Sequence, residues 1–228
     1  MTKKPLRHIA FIMDGNRRWA KTKGFSRAVG HKIGFNKILD VVKRCIFHNI
    51  EVVSVFAFST ENWNREQAEI DDIFNIVKTS LPEMLPKLQK FGVSVRTMGD
   101  ISVFDDEMRG IIKKVCDETK NNKTIILNLC VNYGGRADIV RAANLAISGG
   151  AKTITEEAIT RNLYGANLPA PDLVVRTSGE QRISNFMLWQ MAYSEFLFIK
   201  SFWPEITART VDKCVAEYLS RNRRFGMG

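Results

Sequence analysis

Residues 52–65 read Val-Val-Ser-Val-Phe-Ala-Phe-Ser-Thr-Glu-Asn-Trp-Asn-Arg. The first seven, Val52 to Phe58, are an apolar and β-branched run that reads as a buried strand. From Ser59 to Arg65 the chain switches to hydroxyls, a carboxylate, amides, an indole and a guanidinium. In an open α/β sheet, such a switch at the carboxyl end of a strand is where ligand sites are built. A plain surface loop would carry more Gly, Pro and Lys and fewer groups able to converge on one ligand.

Working outward, strand-like and helix-like segments alternate. Strands are expected over 8–13, 52–58, 93–98, 125–131, 173–175 and 196–199. Helices are expected over 32–49, 66–90, 105–119, 136–148 and 211–219, and Thr155 is placed to cap a further one. In 32–49, Phe35, Ile38, Leu39, Val42, Cys45 and Ile46 form one apolar stripe. In 66–90 a second stripe includes Phe74, Val77, Leu81, Leu85 and Leu88, with Pro82 and Pro86 expected to break or bend the helix. The alternation argues for an α/β fold with a mainly parallel sheet covered by helices. No repeat or long linker interrupts it, so a single domain over 1–228 is expected.

In a parallel sheet, the polar clusters that follow the strands share one edge. These are Asp14-Gly15-Asn16-Arg17-Arg18-Trp19, Ser59 to Arg65, Asn132-Tyr133-Gly134-Gly135-Arg136 and Arg176 to Asn185. One composite site is the economical inference.

Composition narrows the ligand. The 228 residues are 45% hydrophobic and 25% charged, with a formal net charge of +10. That charge favours anionic partners such as phosphorylated metabolites, nucleic acid or an acidic membrane surface. No apolar run reaches the ~20 residues of a membrane span. Leu6 to Met13 is too short and too polar for a secretory signal, so a cytoplasmic location is expected. Cys45, Cys116, Cys130 and Cys214 are widely spaced and read as reduced core thiols rather than disulfides or zinc ligands.

Two clusters carry the chemistry. In the first, Gly15 and Asn16 tolerate turn geometry and can aim backbone N–H groups at an anion. Arg17, Arg18 and Arg27 add charge-assisted donors suited to phosphate oxygens. Asp14 cannot bind phosphate itself but can hold a divalent cation that does, and Mg2+ suits one or two carboxylates with phosphate oxygens and water. His31, at a helix start, is a candidate anion ligand. The second cluster, Arg176-Thr177-Ser178-Gly179-Glu180-Gln181-Arg182-Ile183-Ser184-Asn185, is a second arginine-bearing cradle, and Glu195 beyond it offers another carboxylate. Two cradles and few acids suggest two phosphorylated substrates sharing one cation. The chain contains no P-loop, no Gly-x-Gly-x-x-Gly and no Gly-x-Ser-x-Gly elbow.

Met13 to Trp19, Gly30-His31, Phe58 to Arg65, Asn132 to Arg136, Arg176 to Asn185 and Glu195, six blocks in order, closely resemble the cis-prenyltransferases. The resemblance implies Mg2+-dependent condensation of isopentenyl diphosphate onto an allylic diphosphate. It also implies a homodimer, a central parallel sheet and a hydrophobic tunnel for the growing chain. By similarity, Asp14 is catalytic and holds Mg2+ together with Glu195. Gly15, Asn16, Arg17, Arg18, Arg27 and His31 hold the allylic diphosphate, with Trp19 beside it. Ser59, Thr60, Glu61, Trp63 and Arg65 line the reacting centre, and Asn62 assists proton removal. Arg176, Arg182, Ile183 and Ser184 bind isopentenyl diphosphate, and the terminal Arg224-x-Gly226 completes the partner subunit's site. Arg17 and Ser178 stand where some members have Gly, and Gln181 where some have His, so Gln181 is not counted as a ligand.

The tunnel wall is expected from Phe74, Val77, Leu81, Leu85 and Leu88, a stripe that equally suits ordinary core. Asn62 is a weak base, so the departing diphosphate or the Ser59 hydroxyl is an alternative proton acceptor. A catalytically silent partner subunit would be expected to have lost Asp14, the Arg176/Arg182 pair or the terminal Arg-x-Gly, and this chain retains all three. A nucleic-acid-binding module would spread its basic residues over a face with interleaved aromatics, whereas these arginines follow strands. Peripheral contact with anionic lipid, through the charge and a lipid product, remains compatible.

Overall fold

The computed structural model describes residues 5–221. Six strands, β1 (His8–Ile12), β2 (Val52–Ser59), β3 (Val93–Met98), β4 (Ile125–Tyr133), β5 (Leu173–Arg176) and β6 (Glu195–Phe198), form one sheet in the order β3-β4-β2-β1-β5-β6. Every pairing is parallel. All five residues of β1 are buried, as a central strand covered on both faces requires.

Among the described residues seven helices flank the sheet: α1 (Asn16–Thr22), α2 (Arg27–Phe47), α3 (Gln67–Lys90), α4 (Asp106–Thr119), α5 (Gly135–Ser148), α6 (Glu156–Asn162) and α7 (Ala208–Ser220). Thr155 caps α6 as expected, its hydroxyl accepting from Ala158 N at 3.2 Å. The apolar stripes of α2, α3 and α4 meet β1–β4 in the larger core, which contains Ile38, Val42, Leu81, Leu88, Ile112 and Trp203. A second core on the other face gathers Ala10, Tyr133, Phe186 and Met191.

Two expectations are corrected. The helix expected over 32–49 begins earlier, as α2 at Arg27, so His31 lies inside it and not at its start. And α3 runs unbroken through Pro82 and Pro86. Both prolines lie on its exposed face, so water can satisfy the carbonyls whose partners they remove, while Leu81, Met84 and Leu88 keep the opposite face packed.

β1 and β5 are neighbours, and the connection from β1 runs to β2 on one side while that from β5 runs to β6 on the other. The crevice at the carboxyl ends of β1 and β5 is therefore the topological switch point of the sheet. Ile12 pairs with Arg176 there, so Asp14 and the loop after Arg176 leave the sheet side by side. β2 adds a bulge at Ala57, between the Phe56–Cys130 and Phe58–Val131 pairs. Bulges re-aim side chains next to sites, and Ala57 lines a cavity beside this crevice.

At the amino end of β1, His8 is wholly buried. Its Nδ1 lies 2.6 Å from the Pro169 carbonyl and its Nε2 2.8 Å from Ser54 Oγ, which fits a neutral ring donating from Nδ1 and accepting from the Ser54 hydroxyl. Burial pushes the imidazole pKa down to about 4. Between pH ~6.5 and ~4 the unfolded chain therefore binds a proton there that the native chain does not, so stability is full above pH 6.5 and falls as pH drops. About 2 kcal/mol should be lost by pH 5 and ~3 by pH 4. Urea melts across this window should show the decline, with a shallower slope for His8→Gln.

Gly15 adopts φ +100°, and a Cβ there would sit 2.5 Å from the Phe202 ring and 3.0 Å from Ser178 Cβ. Gly15→Ala should therefore destabilise the fold by about 1–3 kcal/mol, measured by thermal or urea unfolding.

Candidate active site

Asp14 is fixed through its backbone first. Its N–H donates to Thr177 Oγ1 at 2.8 Å, its carbonyl accepts from the same hydroxyl at 2.6 Å, and Trp203 N also donates to that carbonyl at 3.1 Å. The carboxylate then meets two guanidinium groups. Arg176 Nη2 donates to Oδ2 at 2.8 Å and Arg18 Nη2 to Oδ1 at 3.2 Å. Burial alone would raise the Asp14 pKa, but the hydrogen bond and charge of Arg176, helped by Arg18, hold it below the usual range.

From Asp14 an ionic chain runs through both arginine clusters. Arg176, 5% exposed, donates from Nη1 to Ser184 Oγ at 2.7 Å and to the Arg182 carbonyl at 2.6 Å. Arg18 donates to Ser178 Oγ at 2.6 Å and to Glu180 at 2.8 Å, and Glu180 also accepts from Arg182 at 2.5 Å. Those two arginines, Arg182 foremost, hold the Glu180 carboxyl below its ordinary range. The expected cradles are thus contiguous, joined by Asp14 and Glu180.

A pocket of about 410 Å3 opens beside this chain, lined by Asp14, Gly15, Arg17, Arg18, His31 and Arg65 among others. Behind it lies a residue that sequence reasoning did not select. Glu69, in the first turn of α3, has 1% exposure and accepts from Arg65 Nη1 at 2.7 Å, with His31 Nε2 at 3.3 Å and Arg17 Nη1 at 3.2 Å. Burial and the Arg65 charge lower the His31 pKa, against the opposing pull of Glu69. The signal available in the sequence was Glu69's place four residues after Arg65, the i,i+4 spacing of a helical ion pair.

Adjoining the pocket, a narrow apolar cavity of about 60 Å3 runs between α2 and α3, lined by Phe35, Ile38, Ala57, Ile73, Ile76 and Val77 among others. Met13, Asn16 and His31 line both spaces. Of the stripe expected to form a tunnel wall, Val77 lines this cavity, while Leu81 and Leu88 are buried core. Phe74 instead belongs to an aromatic cluster with Phe58, Trp63 and Phe104, ring centroids 5.2–5.5 Å from it.

Other expected residues lie nearby in supporting positions. Thr60 to Asn64 form a short 3-10 helix. Asn62 Oδ1 accepts from Ser59 N at 3.1 Å, so the atom best suited to receive a proton already holds its own loop. Thr60 donates to Glu61 at 3.1 Å. Glu61 accepts from Asn185 Nδ2 at 2.7 Å, and Asn185 Oδ1 takes the Arg136 N–H at the start of α5 at 2.9 Å. Asn185 thereby ties three site loops together. Trp63 Nε1 donates to Asn132 Oδ1 at 2.9 Å. Trp19 packs on Phe25, and Ile183 packs against the second core.

Arg27 and Glu195, like the supporting residues just described, do not line the pocket. Arg27 pairs with Glu66 at 2.5 Å and Asp72 at 3.7 Å, on the α3 side. Glu195 pairs with Leu173 at the start of β5 and β6, whereas Asp14 follows Ile12, whose partner is Arg176. Three residues of strand, about 10 Å, separate the two levels, and Glu195 instead meets Arg221 at 2.9 Å. Within one chain, Glu195 and Asp14 therefore do not share a metal. Among the described residues no group of three or more His, Cys, Asp or Glu is placed to hold one. Arg224 and Gly226 lie outside the described residues.

The family model described as "Putative undecaprenyl diphosphate synthase" matches residues 12–226. An isoprenyl transferase of Halalkalibacterium halodurans is 43% identical over 96% of this chain and 88% of its own length. One from Fusobacterium nucleatum is 42% identical over 99% and 98%. Among solved structures, lavandulyl diphosphate synthase from Lavandula x intermedia, in complex with dimethylallyl diphosphate, superposes with TM-score 0.93 at 31% identity, over 96% of this chain and 98% of that one. "A probable undecaprenyl diphosphate synthase" from Campylobacter jejuni gives TM-score 0.84 at 36% identity over 98% and 99%. With its parallel sheet, its arginine clusters and these relatives in agreement, the chain belongs to the undecaprenyl diphosphate synthase family and is a prenyltransferase.

Proposed function

We propose that the protein condenses isopentenyl diphosphate with an allylic diphosphate, farnesyl diphosphate serving as primer, to give a polyprenyl diphosphate of the undecaprenyl class used as a cell-wall lipid carrier. The observation that carries this reading is the continuity of a cationic pocket with an apolar cavity through Met13, Asn16 and His31. An allylic diphosphate is itself such a junction, with an anionic head and an apolar tail.

In this reading Arg17, Arg18, Arg65 and His31 receive the allylic head, and the tail enters between α2 and α3. Extending it requires side chains such as Phe35 and Val77 to move apart. Arg176, Arg182 and Ser184 take the diphosphate of the second substrate. Ionisation of the allylic C–O bond sends negative charge onto the departing diphosphate, which fixed guanidinium groups stabilise without reorganising. The partly buried apolar walls at Ala57 and Phe35 limit the access of water to the carbocation. The proton lost after C–C bond formation goes to the departing diphosphate, because an amide oxygen is a far weaker base and that of Asn62 is already occupied.

Asp14 is the carboxylate among the pocket residues named, and one carboxylate with diphosphate oxygens and water is a donor set that suits Mg2+. Asp14 would hold that ion, which when bound offsets charge on the diphosphate. The active form is read as a homodimer, with Arg224-x-Gly226 reaching the partner's site. The +10 charge supports salt-sensitive contact with anionic membrane near the lipid product, and among the described residues no helix is long and apolar enough to cross a bilayer.

Purified protein with Mg2+, farnesyl diphosphate and labelled isopentenyl diphosphate should yield an extended prenyl diphosphate, sized by chromatography. Absence of label from lipid would defeat the reading. Asp14→Ala should lower turnover at least ~1,000-fold with an unchanged circular dichroism spectrum, and chelation of Mg2+ should stop the wild type. Light scattering of the active fraction should return twice the chain mass of 25.9 kDa.

A further inference from the structure

Glu69 binds nothing in the reading above, yet three groups assigned to the allylic head converge on it. Arg17 comes from α1, His31 from α2, and Arg65 from the turn before α3. All three line the pocket, and the 1%-exposed carboxylate stands behind them. Each of its oxygens is used: Oε1 by Arg65 at 2.7 Å and His31 at 3.3 Å, Oε2 by Arg17 at 3.2 Å. Among the described residues neither Arg17 nor Arg65 has another ion-pair partner.

A carboxylate so nearly dry is tolerable only where charge and hydrogen bonds replace its water. Three basic groups do so here, and the amino end of the 24-residue α3 adds its positive pole. The dependence runs both ways. Without Glu69, two neighbouring guanidinium groups repel each other, and Arg17, whose side chain is 61% exposed, is free to turn into water. With it, both arginines are ordered before a ligand arrives, so binding need not supply that ordering. The same contact directs His31 Nε2–H onto Glu69, which leaves Nδ1 as the ring nitrogen available elsewhere.

We propose that Glu69 is a positioning residue of the allylic-diphosphate subsite, a buried counter-ion that sets Arg17, His31 and Arg65 in their convergent arrangement. It acts through these groups and not on substrate. The inference rests on the assignment of this pocket to the allylic head.

Steady-state kinetics of Glu69→Gln test it. The amide keeps the shape but loses the charge and turns an N–H2 toward groups that are themselves donors. The expected result is a rise of about ten-fold in KM for farnesyl diphosphate, with KM for isopentenyl diphosphate within about two-fold of wild type. Glu69→Asp keeps the charge on a shorter stem and should fall between the two. It carries the same comparison if the Gln variant does not fold. A purely structural acid would lower the melting temperature and disturb both KM values together, and that result, or an unchanged KM for farnesyl diphosphate, overturns the proposal. Arg17→Ala and Arg65→Ala separate the two levels. If they leave KM for farnesyl diphosphate unchanged, the pocket assignment fails. If they raise it while Glu69→Gln does not, only the role of Glu69 fails.

Discussion

The contact between Asp14 and Arg176 is the constraint on which the rest of the site depends. It closes the switch point of the sheet by joining the chain ends of β1 and β5 at 2.8 Å. A guanidinium that is 5% exposed needs partners for its donors, and the partners found are Asp14, Ser184 and the Arg182 carbonyl. Bending the 178–187 segment far enough to deliver them puts Ser178, Ser184, Asn185 and Met187 at positive φ. Such conformations are unfavourable for residues with a Cβ and persist where surrounding contacts over-determine them. Here those contacts are the ionic chain and the Asn185 bridge to Glu61 and α5.

The positive charge of the site is also partly offset. Among the described residues, these site arginines have acids already beside them: Arg18 and Arg176 on Asp14, Arg182 on Glu180, Arg17 and Arg65 on Glu69, Arg27 on Glu66. The acids differ in exposure and so in consequence. Glu66, with a 78% exposed side chain, offers a weakly held, readily exchanged partner. Glu69, at 2%, is fixed. Under the proposed function, an incoming diphosphate would compete with Glu66 for Arg27 and meet a preset arrangement at Arg17 and Arg65, a division that the chain's overall positive charge does not reveal.

Much of this was legible beforehand. The run Val52–Phe58 is β2, and the polar residues that follow stand at the common carboxyl edge with Asp14 and Arg176. Strand periodicity and the placement of polar residues at strand ends are local, and local signals read well. The failures were non-local. Pro82 and Pro86 argue for a break when taken alone, but packing on the opposite face of α3 carries the helix through. Phe74 reads as a tunnel wall, yet it packs among Phe58, Trp63 and Phe104. Thr177 and Asn185 are visible within a polar run, but only the fold shows that one clamps the backbone of Asp14 and the other ties three loops.

The sequence by itself determined the fold class and gathered the polar, arginine-bearing clusters at one edge of the sheet, because these follow from periodicity and from the residues that end each strand. Only the tertiary structure decided which acid faces which base. Strand register sets Glu195 about 10 Å along the sheet from the level of Ile12 and Arg176, beyond which Asp14 follows, and helix packing draws Glu69 to Arg17, His31 and Arg65. Pairing energies depend on distance and burial, and neither quantity exists until the chain has folded.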